Sequence, residues 1–146
     1  MIAIGSDHGG FHLKQEIMRH LADKGIEFHD YGTYSEESCD YPDFGEAVGR
    51  AVASGECERG IVICGTGIGI SLAANKVRGV RAALCGDCFS AEMCRRHNDA
   101  NVLALGERVV GPGLALKIVD IFLETGFDGG RHSRRVAKLM DIEERN

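Results

Sequence analysis

Apolar positions along the chain fall into two alternating rhythms. Five short runs, Ile2–Gly5, Ile26–Tyr31, Gly60–Cys64, Val80–Cys85 and Val102–Leu105, are mostly unbroken by polar residues. They are too short for helices and mostly lack the alternation of a half-solvated strand, so they are predicted to be strands covered on both faces. Between them apolar residues recur at helical spacing. Leu13, Ile17 and Leu21 stand four apart and are followed by Gly25, a C-terminal stop. Phe44, Val48 and Val52 repeat the spacing behind Pro42, whose fixed φ and missing N–H suit a first helical turn. Leu114, Ile118 and Phe122 mark a further helix that Gly126 ends.

Strand and helix alternate five times, which predicts a Rossmann-like three-layer α/β/α sandwich around a five-stranded parallel sheet. After Gly129 and Gly130 a last amphipathic helix carries Val136, Leu139, Met140 and Ile142 on one stripe. It has no sixth strand to return to and is expected to pack on a partner subunit, with folding back on its own domain as the alternative.

Composition narrows the class. The 146 residues, 44% hydrophobic and 27% charged, read as one globular domain spanning 1–146. A net charge of -5 excludes a general nucleic-acid binder, which needs a basic face. No apolar stretch approaches the ~18 residues of a membrane span. The first ten residues lack the basic and apolar regions of a secretory signal. The expectation is a cytoplasmic protein without membrane or nucleic-acid partners, and its six cysteines read as reduced thiols.

In doubly wound sheets ligands bind outside the carboxyl ends of the strands, at the switch point beside the first. That rule selects the loops Ser6–Gly10 and Cys64–Gly69. The second is a Gly-x-Gly-x-Gly loop, with Gly65, Thr66, Gly67, Ile68 and Gly69 running from a buried strand into a helix. Such a loop lets backbone N–H groups meet an anion, either a phosphate or a reaction oxyanion. It lacks the Walker and dinucleotide spacings, so NAD and ATP are not expected. A ligand-free tight turn is the alternative. Cys64 stands at its mouth, where a thiol beside a helix N-terminus can become a nucleophile or base rather than a small buried hydrophobe. Asp7 and His8 face the same crevice, as proton carriers or as a helix cap. Cys85 and Cys88 could form a redox or zinc pair, but no second ligand pair stands at matching spacing. His8 and His12, one turn apart, lack a third metal ligand. His97 closes the helix after the fourth strand, where a dipole partner is the plain alternative. Arg131 and Arg135 are one turn apart and can clamp a phosphate, or belong with Arg134 to a solvated face. Arg108, after the fifth strand, is a third guanidinium at the carboxyl edge.

Gly5-Ser-Asp-His-Gly-Gly, Asp40-Tyr-Pro, Cys64-Gly-Thr-Gly-Ile-Gly, Ala74-Asn-Lys, Arg96-His-Asn-Asp-Ala-Asn-Val and Gly130-Arg-His together resemble the ribose-5-phosphate isomerase B family, within the wider group of galactose-6-phosphate isomerase subunits. The resemblance runs from residue 1 to the C-terminus. It implies a homodimer, free of metal and other cofactors, that interconverts ribose 5-phosphate and ribulose 5-phosphate in the pentose phosphate pathway. Cys64 then matches the catalytic base, and Thr66 the hydroxyl that moves the proton between two sugar oxygens. The Gly65–Gly69 amides match the anion hole. His97, with Asp7, matches the pair that opens the furanose ring. Asn98, Arg108, Arg131 and Arg135 match sugar and phosphate ligands, and His8 lies at the phosphate end. A second branch of the family uses a glutamate just after the loop; Ile70 occupies that position, so the chain resembles the cysteine branch. Each site is implied to combine the loop group of one subunit with the 97–135 group of the other.

Enediol chemistry needs one base that reaches two carbons and a sink for oxygen charge, and a thiol beside clustered amides meets that need. Three rivals remain open: an isomerase of allose or galactose 6-phosphate, a non-catalytic sugar-phosphate sensor, and a thiol oxidoreductase built on Cys85 and Cys88.

Overall fold

The computed structural model describes all residues from Met1 to Asn146. Each of the five apolar runs forms a strand: β1 (Ile2–Ser6), β2 (Phe28–Asp30), β3 (Arg59–Cys64), β4 (Ala82–Leu84) and β5 (Val102–Gly106). The helices are α1 (Phe11–Asp23), α2 (Tyr41–Ala53), α3 (Ile68–Asn75), α4 (Cys88–Arg96), α5 (Pro112–Glu124) and α6 (Arg131–Glu144). All pairings are parallel and the strand order is β2-β1-β3-β5-β4. The two edge strands are shorter than their apolar runs. Ile26 is drawn into the closure of α1, its N–H donating to Leu21 O, and the Val80 N–H closes a turn on Val77 O.

Alternation that the short runs obscure is plain in three dimensions. Ile2 and Ile4, Ile61 and Ile63, and Leu103 and Leu105 face one side, where they pack with Leu13, Ile17 and Leu21 of α1, with α4, and with Ile118 and Phe122 of α5. Ala3, Val62, Cys64, Val102 and Ala104 face the other side, against α2 and α3. Both sets are apolar, so the sequence shows a continuous run. The second face is built of smaller side chains, and α2 comes close to it. A Cβ placed on Gly60 would lie 2.6 Å from Val48 Cγ1, and one on Gly5 2.9 Å from Val48 Cγ2. These glycines admit the helix rather than turn the chain.

Strand register gives the molecule two chemically distinct ends. Gly60 pairs with Val102 at the amino edge and Cys64 with Gly106 at the carboxyl edge. Four residues of strand, about 13 Å, separate those registers. Helix α6 lies against its own chain near the amino edge. Both carboxylate oxygens of Glu143 accept the Gly79 N–H at 3.1 Å, and Arg81 Nη1 reaches Met140 Sδ at 3.5 Å. Lack of a sixth strand therefore does not detach this helix, although Leu139 and Ile142 on its stripe stay half exposed. No helix is long and apolar enough to cross a membrane.

Candidate active site

The crevice lies where the chain leaves β1 and β3, which are neighbours in the sheet. Cys64 ends β3 almost fully buried, and its Sγ accepts the Gly67 N–H at 3.1 Å. That contact requires the loop to turn back on itself. Gly67 does so at φ +80°, and a Cβ there would stand 2.5 Å from Leu84 Cδ1 and 2.8 Å from the Leu105 carbonyl carbon. Only glycine meets both conditions. Thr66 Oγ1 accepts the Ile68 N–H at 3.2 Å, capping the first turn of α3 while the residue stays exposed. From below, the Glu107 N–H donates to Cys64 O at 2.9 Å and the Arg108 N–H to Gly65 O at 3.0 Å. The loop is thus held by its neighbours, and its Gly65 and Gly69 admit the side chains of Arg108 and Tyr41 close to its backbone.

Asp7 and His8 arrive from β1. The Asp7 N–H donates to Ile63 O at 3.3 Å, which ties the two loops together. One Asp7 carboxylate oxygen accepts the Gly10 N–H at 3.2 Å, so the residue caps the short 3-10 turn His8–Gly10 while lying beside the Gly65 backbone. His8 Nδ1 accepts the Cys39 N–H at 3.2 Å. In the neutral ring this leaves the proton on Nε2. Arg108 belongs here as well: its Nη1 lies 3.3 Å from where a Gly65 Cβ would sit.

Three residues to which the sequence assigns no role in the site complete this end. The Lys14 side chain is fully buried, and Nζ sits 2.6 Å from Asp30 Oδ1 and also donates to Thr33 O. Asp30 Oδ1 in turn accepts the Gly32 N–H at 2.9 Å, so one buried cation anchors the segment that leads to Cys39. Tyr41 lays its ring over the start of α3, 2.8 Å from the point a Gly69 Cβ would occupy. Glu107 Oε1 accepts the Leu13 N–H at 2.7 Å and caps α1 from across the crevice.

The remaining candidates stand at the opposite edge of the sheet. His97 ends α4, its N–H donating to Met93 O at 2.8 Å. Its ring stacks on that of His132, with centroids 4.1 Å apart and 9° between planes. Asn98, Arg135, Val136 and Leu139 join the two histidines around a cavity of ≈ 370 Å³, and Arg131 is exposed at the start of α6. Burial, followed by the charges of His97, Arg131 and Arg135, lowers the pKa of His132 below its ordinary value. Asp128 closes the group, and ligand atoms of His97, Asp128 and His132 lie within 4.8 Å of one another. No sequence spacing announces this trio, because its members come from α4, the segment before α6, and α6 itself. Asp128 is also engaged by Arg96 Nε at 3.2 Å. The histidine pair considered from sequence does not converge in this way: His12 pairs with Glu36 at 2.8 Å while His8 faces Cys39.

The sequence candidates therefore form two clusters. Asp7, His8, Cys64, Thr66, the loop glycines and Arg108 share the carboxyl edge, whereas His97, Asn98, Arg131 and Arg135 share the amino edge. Arg108 falls with the loop group, although the resemblance set it among residues 97–135. Cys85 and Cys94 are both buried in the core, where Cys94 Sγ donates to Ala91 O at 3.2 Å, and the neighbouring Cys94 together with burial pushes the Cys85 thiol pKa up. All six cysteines are free.

Comparison with known proteins agrees with the fold and with the motifs. Residues 2–139 match the sequence family described as Ribose/Galactose Isomerase. Ribose-5-phosphate isomerase B of Escherichia coli K12 is 54% identical over 144 residues, covering 99% of this chain and 97% of that protein. The structure of Clostridium thermocellum ribose-5-phosphate isomerase B is 62% identical with a TM-score of 0.98, over 99% of this chain and 97% of that one. The Mycoplasma genitalium ribose-5-phosphate isomerase B, solved with bound ribulose-5-phosphate, is 44% identical with a TM-score of 0.95, over 99% and 97%. Sharing sequence and backbone with these proteins from end to end, the chain belongs to the ribose/galactose isomerase family.

Proposed function

We propose that the chain interconverts D-ribose 5-phosphate and D-ribulose 5-phosphate through a cis-enediolate, in the non-oxidative branch of the pentose phosphate pathway. The observation that carries this reading is the Cys64 thiol at the mouth of a glycine loop, oriented by the Gly67 N–H at 3.1 Å. In the open-chain aldose the Cys64 thiolate takes the proton from C2, and charge gathers on O1, where amides of the Gly65–Gly69 loop receive it. Thr66 relays the hydroxyl proton from O2 to O1. Return of the sulfur-bound proton to C1 completes the ketose. Protons move, not hydride, so the step calls for no metal or organic cofactor. His97 with Asp7 opens the furanose. Asn98 binds the sugar, while Arg108, Arg131, Arg135 and His8 hold the phosphate.

The whole chain serves as one unit, and the reading requires two copies of it. Within one chain the Cys64 and His97 clusters stand at opposite edges of the sheet, so a site that uses both needs the loop group of one subunit and His97, Asn98, Arg131 and Arg135 of another. Exposed apolar side chains around the loop support such a pairing: Ile68 and Leu72 on α3, Leu84 after it, and Phe89 on α4. Cytoplasmic location accords with the small-molecule substrate and the free thiols.

The family name spans galactose isomerases too, which makes a six-carbon substrate the second reading. The two are separated by kcat/KM for ribose 5-phosphate, allose 6-phosphate and galactose 6-phosphate. We expect ribose 5-phosphate to lead by about tenfold or more, the scale at which a pocket discriminates one carbon. A six-carbon sugar phosphate that equals or exceeds it overturns the assignment, and binding without turnover of any of the three returns the sensor reading.

A further inference from the structure

Behind His97 lies the most organised group of ionisable side chains to which the reaction above gives no task. His132 is 9% exposed and its ring runs parallel to that of His97. The backbone holds this arrangement from both sides. The His132 N–H donates to Gly129 O at 3.1 Å, the Asp128 N–H to Arg96 O at 3.0 Å, and Arg96 Nε to the Asp128 carboxylate at 3.2 Å. The stacked ring is the contact that faces the His97 imidazole, with centroids 4.1 Å apart and 9° between planes. Charged groups face the pair from every side: Arg96 on α4, Asp128 before α6, and Arg131 and Arg135 on α6. Burial and the surrounding positive charge favour the neutral form of His132, so it presents an uncharged aromatic face to His97.

The two sugars differ in what they ask of this end. An aldopentose 5-phosphate closes O4 onto C1, and opening it breaks C1–O4, with the electron pair and a proton going to O4 while O1 loses its proton. The ketose has its carbonyl at C2 and its O5 blocked by phosphate, so it has no furanose to open. We infer that His132 is a positioning residue for ring opening: stacked on His97, it fixes the plane in which that imidazole meets the ring oxygens, and it leaves the enediol step to Cys64. This rests on the isomerase reading and on the role that reading gives His97.

The test compares His132→Ala with His132→Phe, which keeps an aromatic face of similar size, using ribose 5-phosphate carrying hydrogen or deuterium at C2. We expect His132→Ala to convert the aldose about tenfold more slowly, the scale of loss when a reacting group is misplaced. We expect its primary isotope effect to fall toward one as ring opening becomes limiting, and His132→Phe to recover most of the rate. Unchanged conversion in His132→Ala, failure of the Phe variant to recover the rate, or an isotope effect that holds or rises while conversion falls would each overturn the proposal. Should the alanine variant fail to fold, the Phe variant decides alone: near-normal conversion upholds the stack and a tenfold loss refutes it. If the unaltered chain converts no ribose 5-phosphate, the isomerase reading falls first and the inference with it; an active parent with either refuting pattern overturns the inference alone.

Discussion

Cys64→Ala is expected to lower kcat for ribose 5-phosphate about 10³-fold while KM stays within about threefold, the pattern of a lost general base. The side chain is small and its removal empties little space, so the β3 terminus and the loop glycines should keep their places. The groups proposed to bind the phosphate, Arg108, Arg131, Arg135 and His8, are other side chains, and ground-state affinity should survive. What disappears is the proposed base, which neither Thr66, with its hydroxyl, nor Ile70, with its alkyl chain, can replace. Steady-state kinetics with a parallel measurement of substrate binding checks this. Turnover within tenfold of the parent would remove Cys64 from the role of base.

Asp30→Ala is expected to destabilise the protein by about 3–5 kcal/mol, the cost of stripping the partner from a buried charge. Lys14 has no exposed side-chain surface, while Asp30 is 24% exposed, so the desolvated partner is the lysine. Removing the lysine itself should be milder: Lys14→Met replaces the stem with apolar volume and leaves Asp30 near enough to solvent to be hydrated. The ordering, with Asp30→Ala worse than Lys14→Met, separates a buried-charge penalty from a simple loss of packing. Urea unfolding at one fixed protein concentration measures it. The aspartate variant should also raise KM, because Asp30 and Lys14 together anchor Gly32 and Thr33 at the start of the segment whose Cys39 N–H holds His8. Equal stability of the two variants would dismiss the uncompensated lysine as the cause.

Local pattern carries far in this chain, and its limits have physical causes. Runs such as Val102–Leu105 and stripes such as Leu13–Ile17–Leu21 identify their elements because burial on both faces of a sheet leaves no alternative composition. The edge strands are over-read at Ile26 and Val80 because an apolar residue can serve a helix end or a turn as well as a ladder. The place of β5 between β3 and β4 is invisible locally, since parallel strands of similar composition carry no label for their neighbours. In the site, Cys64, Thr66 and the glycines are legible as one contiguous segment. Lys14 is not, although it stands three before Ile17 on the buried stripe; a lysine there reads as solvent-facing until Asp30 is seen opposite. His132 and Asp128 are hidden for another reason: their partner His97 lies more than thirty residues away, and nothing in either segment encodes the meeting.

The separation of Cys64 and His97 to opposite edges of one sheet has a genetic consequence. In the proposed dimer, a chain lacking the thiol and a chain lacking the imidazole are each inactive alone, because every site in either homodimer carries a lesion. Exchange their subunits, and one site of each mixed pair collects both lesions while the other collects neither. Two dead proteins should therefore complement one another on mixing, with no more than half the sites of each mixed pair restored, whereas two variants damaged at the same edge should remain dead together.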